Sequence, residues 1–269
     1  MNEQRGLMVL PGVFFTTSLA LPRGRHQLDR DEVLTIQRER LMIAATELMA
    51  TGGYRAVTVG ALATRAQISR TAFYESFADK DDCIFAAYDR FIAVLTRKIN
   101  DANENISPQD DWTVIVTTAI DTYLRTLQED LVVARAFQVE MDSLGRPARQ
   151  RRRTALIGLA SLLKEQRDQA WPGAEEVSID AYVAAVYAVR QLASDQLDEH
   201  HHPELIALGN RLTPALTELL RGSMSARLLD LQTAVRIGAP SGCTPPRKRE
   251  PTGGNGTLVS RSGRRFPRD

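Results

Sequence analysis

The chain has 269 residues, with 25% charged and 43% hydrophobic, ordinary fractions for a globular protein of one or two domains. A net charge of +1 excludes a generally basic protein that coats nucleic acid. Its distribution is uneven: four Arg face Glu3 and Asp29 in residues 1–30, seven Lys and Arg face Glu250 and Asp269 in residues 238–269, and the middle is left net acidic, so any DNA affinity must come from locally placed cations.

Residues 1–30 hold an apolar run, Leu7 to Leu21, broken by Pro11 and Gly12 and followed by Arg23 and Arg25. The run is too short to span a membrane, and it resembles a signal peptide only loosely. It is expected to be a flexible arm, or to lie upstream of the true translation start. From Asp31 the pattern is helical. Leu41, Ala44, Ala45, Leu48 and Met49 form the apolar face of a first helix, and Gly52-Gly53 supplies its stop.

The stretch Thr58–Phe77 reads as two short helices joined by a tight turn. Val59, Leu62, Ala63 and Ala66 fall at i, i+3, i+4 and i+7 behind a Thr58 N-cap. Ser69 offers a second N-cap, and Ala72, Phe73 and Phe77 form the stripe of the second helix. Gln67 and Ile68 leave room only for a turn, which describes a helix-turn-helix or, as the plainer alternative, an ordinary helical hairpin. In the DNA-binding motif the second helix enters the major groove. Ser69, Arg70 and Thr71 open that helix, Arg can contact guanine with both arms, and Tyr74 is one turn further on, within reach of a phosphate. Glu75 on the same helix either accepts from a cytosine amino group or is a solvated charge.

Asp79 caps a long helix carrying Ile84, Phe85, Tyr88, Phe91, Ile92, Leu95 and Ile99. Further helices are expected over Trp112–Leu127, Leu131–Ser143, Arg149–Gln169, Ser178–Glu199 and from Pro203 to near Gly222, with a less regular amphipathic segment at Met224–Ile237. The residues after Gly238 have the Pro, Gly, Ser and Arg content of a disordered basic tail. No strand alternation and no transmembrane run is visible. Cys83 and Cys243 are the only cysteines, one in a helix and one in the tail, so no disulfide framework is expected and reducing, cytoplasmic conditions fit best.

The run LMIAATELMATGGYRAVTVGALATRAQISRTAFYESFADKDDCIFAAYD resembles the DNA-binding domain of TetR-type (tetracycline-repressor-like) transcriptional regulators. Leu41, Ala44, Ala45, Leu48, Gly53, Tyr54, Thr58, Val59, Leu62, Ala63, Ala66, Ile68, Ser69, Phe73, Tyr74, Phe77 and Lys80 match the family pattern in order and without insertion. The resemblance implies an all-α fold: an N-terminal three-helix helix-turn-helix domain joined to a C-terminal helical ligand-binding and dimerisation bundle. The corresponding divisions are an arm over 1–30, a DNA-binding domain over 31–78, an effector-binding and dimerisation domain over 79–237 and a tail over 238–269. It assigns Thr58, Tyr74 and Lys80 to phosphates, Arg70 and Thr71 to base edges, and Ser69 to capping and the backbone. Two positions depart from the pattern. Gln67 stands where the family usually has Gly, so the turn lacks the residue best suited to positive φ, and Gln67 is itself within reach of DNA. Gly60 sits inside the first motif helix, at a cost of up to about 1 kcal/mol relative to Ala.

In the bundle, Tyr182, Val186 and Leu197 lie on one apolar face of a helix and Leu205, Leu212, Leu216 and Leu219 on a face of the next. The resemblance places these two helices in a four-helix dimer interface; the alternative is that the stripes pack within their own subunit. It also implies an effector pocket, with Trp112, Tyr123, Phe137, Met141, Trp171 and Tyr187 as candidate linings and Arg135, Gln138 or Glu140 as polar anchors, or else plain core. The cluster Arg146, Arg149, Arg151, Arg152 and Arg153 reads as a solvated face. His200-His201-His202 lacks metal-ligand spacing, since consecutive helical residues diverge by about 100°. No catalytic constellation or phosphate loop is visible, and no cofactor is implied. The expected function is therefore a homodimeric, non-enzymatic repressor that binds double-stranded operator DNA, has no membrane association and is released by a small-molecule effector. The competing reading is a helical carrier or enzyme in which the helix-turn-helix is only structural.

Overall fold

The computed structural model describes residues 8–16, 29–104, 106–107, 109–173 and 175–221. The segment Met224–Ile237, the basic tail with Cys243, and residues 1–7 and 17–28 of the arm lie outside the described residues. Among the described residues the structure is all-α, with one isolated bridge between Pro11 and Phe15. The helices are α1 (Arg30–Ala56), α2 (Val59–Ala66), α3 (Arg70–Ser76), α4 (Lys80–Asn103), α5 (Thr113–Glu129), α6 (Leu131–Gln138), α7 (Arg146–Ala170), α8 (Ile179–Glu199) and α9 (Leu205–Leu220). A short 3-10 turn, Glu140–Leu144, follows α6 where a single helix to Ser143 was expected.

Each start has a local cause. Asp29 and Glu32 form a reciprocal capping box at α1, satisfying backbone donors that the helix itself cannot reach. Asp79 accepts from Asp82 N–H at 2.8 Å to open α4, and Asp130 accepts from Val132 and Val133 N–H, both at 3.1 Å, to open α6. Near its end α1 is interrupted rather than stopped: Gly53 has φ 65°, and one further turn runs to Ala56. A side chain at Gly53 would meet the Glu140 carboxylate at 2.9 Å, so the break also lets the 3-10 turn approach.

Helices α1, α2 and α3 pack on one another as a head, and α4 leads from it into a body in which α5 packs on α9, α7 on α8, and α8 on α9. The two share one hydrophobic core, because α1 also packs on α4, α6 and the 3-10 turn. Tyr88, Phe91 and Phe137 form an aromatic cluster there, with ring centroids 5.3–6.1 Å apart. Cys83 is fully buried in α4 and burial raises its thiol pKa well above the ordinary value, so it is a packing residue rather than a nucleophile.

The expected flexible arm is corrected at residues 8–16. This segment turns back on itself, with Gly12 N–H donating to Phe15 C=O at 2.6 Å, and it buries Val9, Phe14 and Phe15. Phe14 lies 5.2 Å from the Phe91 ring, and its carbonyl accepts from Arg90 Nε at 3.1 Å. Burying each Phe stabilises the fold by roughly 1.5–3 kcal/mol, enough to hold a segment with no helix of its own.

Candidate nucleic-acid interface

Helix α2 is anchored by Leu62, Ala63 and Ala66, all buried. At its N-terminus Thr58 Oγ1 accepts from Ala61 N–H at 3.1 Å and is exposed, so the hydroxyl proton is available to an incoming phosphate. At its C-terminus Ile68 N–H reaches Ala63 C=O at 2.9 Å and Gln67 N–H reaches Thr64 C=O at 3.2 Å, the paired bonds of a Schellman stop. That geometry needs a left-handed residue, and Gln67 supplies it with φ 54°, the only positive φ outside glycine among the described residues. Gln67 therefore makes this left-handed turn without a glycine.

Helix α3 begins at Ser69, whose Oγ accepts from Ala72 N–H at 3.1 Å. Phe73 and Phe77 are buried with centroids 6.0 Å apart and pin one side of α3 against the head. Arg38 of α1 holds the other end: its guanidinium lies 4.1 Å over the Phe77 ring and donates to Ser76 C=O at 2.5 Å. With that side fixed, Ser69, Arg70, Thr71, Tyr74 and Glu75 are exposed, Tyr74 at 61% with its ring edge-on to Phe73. Gln67 is exposed beside them. The Arg70 guanidinium passes over α2, where a Cβ on Gly60 would meet Nη2 at 3.0 Å. The helix-weakening glycine thus makes room for the leading cation of α3. Neither Gly60 nor Arg38 is named by motif spacing alone, because each acts through a residue far from it in sequence.

Lys80, expected to clamp a phosphate, has partners within the chain. It is half-buried, its Nζ donates to Val57 C=O at 3.0 Å, and it stacks 3.7 Å over the Tyr54 ring. Tyr54 in turn donates to Asp81 at 2.8 Å, which raises the phenol pKa. Asp79 and Asp82 already satisfy donors at the start of α4, and together with Asp81 they oppose a phosphate there. Lys80 instead ties the α1–α2 connection to α4.

In the body, the stripes assigned to a dimer interface turn inward. Tyr182, Val186, Leu197, Leu205 and Leu216 are buried in the chain's own core, and only Leu212 and Leu219 are partly accessible. A stripe wide enough for two partners has its inner half taken by the subunit itself. The outer surface of these helices carries Ala184, Tyr187 and Ile206 as exposed apolar residues.

The candidate pocket residues are scattered. Tyr123 lines two small cavities in the core, and Phe137 lines the second. The first is about 50 Å³, lies among α4, α5, α7, α8 and α9, and has an almost wholly apolar wall that includes Tyr182, Val186 and Leu216. The second, about 30 Å³, carries Tyr88, Gln138, Arg152 and Arg190. Burial raises the Tyr88 and Tyr182 phenol pKa values to about 12, so both remain neutral donors. Arg190 is buried, donates to Gln138 C=O, and has its pKa lowered by desolvation. Met141 is packed in the core. Trp112 lies under the Arg167 guanidinium at 4.8 Å, and Trp171 donates to Asp110 C=O at 3.0 Å, both away from these cavities. Tyr187 faces outward at 37% exposure. Arg135 caps the end of α8, donating to Leu197, His200 and His201 carbonyls at 2.6–3.2 Å, while Glu140 borders the neighbouring cleft. Among the described residues no group of three or more His, Cys, Asp or Glu side chains is placed to hold a metal, and no helix is long and apolar enough to cross a membrane.

Comparison with known proteins agrees with this head and body. Residues 41–87 match the sequence profile of the bacterial regulatory proteins of the tetR family. No curated protein sequence matches the chain. Among solved structures, the fatty acid degradation regulator FadR from Bacillus halodurans is similar at 17% identity and TM-score 0.61, covering 67% of this chain and 94% of its own. The transcriptional regulator FadR from Bacillus subtilis, solved in complex with stearoyl-CoA, is similar at 16% identity and TM-score 0.58, covering 66% of this chain and 96% of its own. At such identity these likenesses show the fold alone, while the sequence match runs from within α1, through α2 and α3, into α4. Residues 41–87 thus carry the DNA-binding-domain signature of the bacterial tetR regulatory proteins, and about two thirds of the chain is similar in fold to the two FadR regulators.

Proposed function

We propose that the chain is a sequence-specific repressor that binds a palindromic operator as a homodimer and is released by a small apolar effector. The observation that carries this reading is the division of α3 into a pinned side, Phe73 and Phe77, and an exposed side, Ser69, Arg70, Thr71 and Tyr74. Arg70 and Thr71 face base edges, Thr58 and Tyr74 bind phosphate, Ser69 and Gln67 lie against the backbone, and Lys80 acts by holding the α1–α2 connection in place. Two heads related by a two-fold axis fit successive major grooves about 34–36 Å apart. The exposed apolar residues Ala184, Tyr187 and Ile206 on α8 and α9 form part of the dimer contact.

The effector enters the body at the cavity shared by Tyr123, Tyr182 and Val186. At about 50 Å³ it holds no more than a few waters, so uptake requires α5, α8 and α9 to part. Its apolar wall suits a hydrocarbon chain, in keeping with the stearoyl-CoA bound to the Bacillus subtilis FadR. The Tyr182 hydroxyl, buried and without a partner among the described residues, offers a polar anchor. Occupancy and operator binding then oppose each other by the same factor in both directions. The chain acts in the cytoplasm and has no catalytic role. Selection of bound fragments from random DNA, followed by mobility shift, tests the reading. Arg70→Ala should weaken binding by about 1–3 kcal/mol and relax specificity at one base pair. Selection that returns no palindrome, or undiminished binding by Arg70→Ala, would overturn it.

A further inference from the structure

Segment 8–16 buries Val9, Phe14 and Phe15 and lines neither core cavity, and its polar contacts reach two distant carboxylates. Two consecutive amides point to two buried carboxylates on different parts of the molecule. Val9 N–H donates to Glu47 Oε1 at 3.0 Å, and Leu10 N–H donates to Asp130 Oδ2 at 2.8 Å. Each carboxylate gives its other oxygen to its own neighbourhood. Glu47 Oε2 takes Arg65 Nε of α2 at 2.7 Å, and Asp130 Oδ1 takes the first amides of α6 at 3.1 Å. Glu47 and Asp130 are only 2% and 1% exposed, so neither has water to replace a lost donor. Phe14 and Phe15, both 1% exposed, and the bonds from Thr16 to Glu39 of α1 at 2.8–3.1 Å hold the segment in register.

We propose that residues 8–16 are an intramolecular strap that couples the helix-turn-helix to the body. The hydrogen-bonded run Arg65–Glu47–Val9/Leu10–Asp130–α6 carries a displacement of α6 to α2. A rigid link of this kind needs no contact between α2 and α6 themselves, because the strap supplies the two donors that both carboxylates require. The same α6 bears Phe137 and Gln138 of the second cavity, which shares Tyr123, Leu156 and Arg190 with the first, so a ligand that spreads from the first cavity into the second pulls on Asp130 and, through the strap, on α2. This last consequence rests on the ligand-responsive reading above; the mechanical coupling does not.

The test deletes one hydrogen bond from either side in the full chain. Leu10→Pro removes the donor at a residue whose side chain is 49% exposed. Asp130→Ser keeps an oxygen to cap α6 but has none left for Leu10. Amide exchange is measured without DNA or ligand on the wild type, both single variants and the double variant. The expected result is exchange about threefold or more faster at Leu62–Ala66 of α2 in each single variant, with no further gain in the double. Faster exchange confined to residues 8–16 and the start of α6, with α2 unchanged, would overturn the coupling. If one variant fails to fold, the other still decides, since both remove the same bond. Operator affinity measured in parallel separates the two readings: a wild type that binds no DNA sinks the proposed function, while the exchange result continues to judge the strap.

Discussion

At the scale of single residues, the exposed face of α3 depends on residues that lie outside α3. Gly60 is the sharpest case. Replacing it with Ala should raise helix stability by up to about 1 kcal/mol through propensity alone. The added methyl would stand 3.0 Å from Arg70 Nη2, and because that contact is the far end of a flexible side chain, Arg70 swings aside rather than the backbone moving. Gly60→Ala is therefore expected to melt at higher temperature while binding operator more weakly. Loss of affinity together with loss of stability would sink the explanation. Asp130 shows the same interplay of burial and chemistry. Burial raises its pKa despite three amides that favour the charged form. The folded state then holds its proton to higher pH than the unfolded chain does, so this residue's stabilising effect is complete below the unfolded pKa of about 3.8 and declines as pH rises through the folded value. Urea denaturation across that window should show a fall in stability with rising pH that Asp130→Asn flattens; parallel profiles for both proteins would refute the assignment.

At the scale of elements, the turn between α2 and α3 sets the angle at which Arg70 and Thr71 are presented. Gln67 holds a left-handed conformation that costs a side-chain-bearing residue roughly 1–2 kcal/mol. Gln67→Gly relieves that strain but adds unfolded-state entropy of about 0.4–1 kcal/mol, so a net gain of up to about 1.6 kcal/mol is expected in chemical denaturation. Weaker operator binding by the same variant would mean that the Gln67 amide itself contacts DNA. This element was legible in the sequence because its buried positions follow one helical period and its caps are local: Thr58, Ser69 and Asp79 all lie within a few residues of what they cap. Segment 8–16 was not legible. It packs without periodicity, and its partners Glu47, Arg90 and Asp130 lie 38 to 120 residues away. The contacts of Lys80 were not legible for a related reason, since a cation at a helix start gives no sign in sequence that a carbonyl and an aromatic ring hold it. The stripes of α8 and α9 were legible only in part: hydropathy reports that a face is buried, but not whether the chain or a second copy buries it.

At the scale of the whole molecule, the proposed repression and release require the body to have two packings that differ by a few kcal/mol, with the effector favouring one. The closed packing described here leaves a cavity of about 50 Å³ bordered by Val186. Val186→Ile adds one methylene to that space and keeps the β-branched rotamer suited to the helix. Filling it should stabilise the closed body by about 0.5–1 kcal/mol, from added apolar burial and recovered dispersion contacts. A stabilised closed state raises the free energy the effector must supply before α5, α8 and α9 can part. The variant should thus unfold at higher urea concentration, bind operator at least as tightly as the wild type, and need more of a long-chain hydrocarbon probe such as stearate to be released. The three measurements constrain one another. Higher stability with unchanged release would place the effector elsewhere in the body, whereas lower stability would mean that the cavity is too narrow along α8 to accept the methyl without strain.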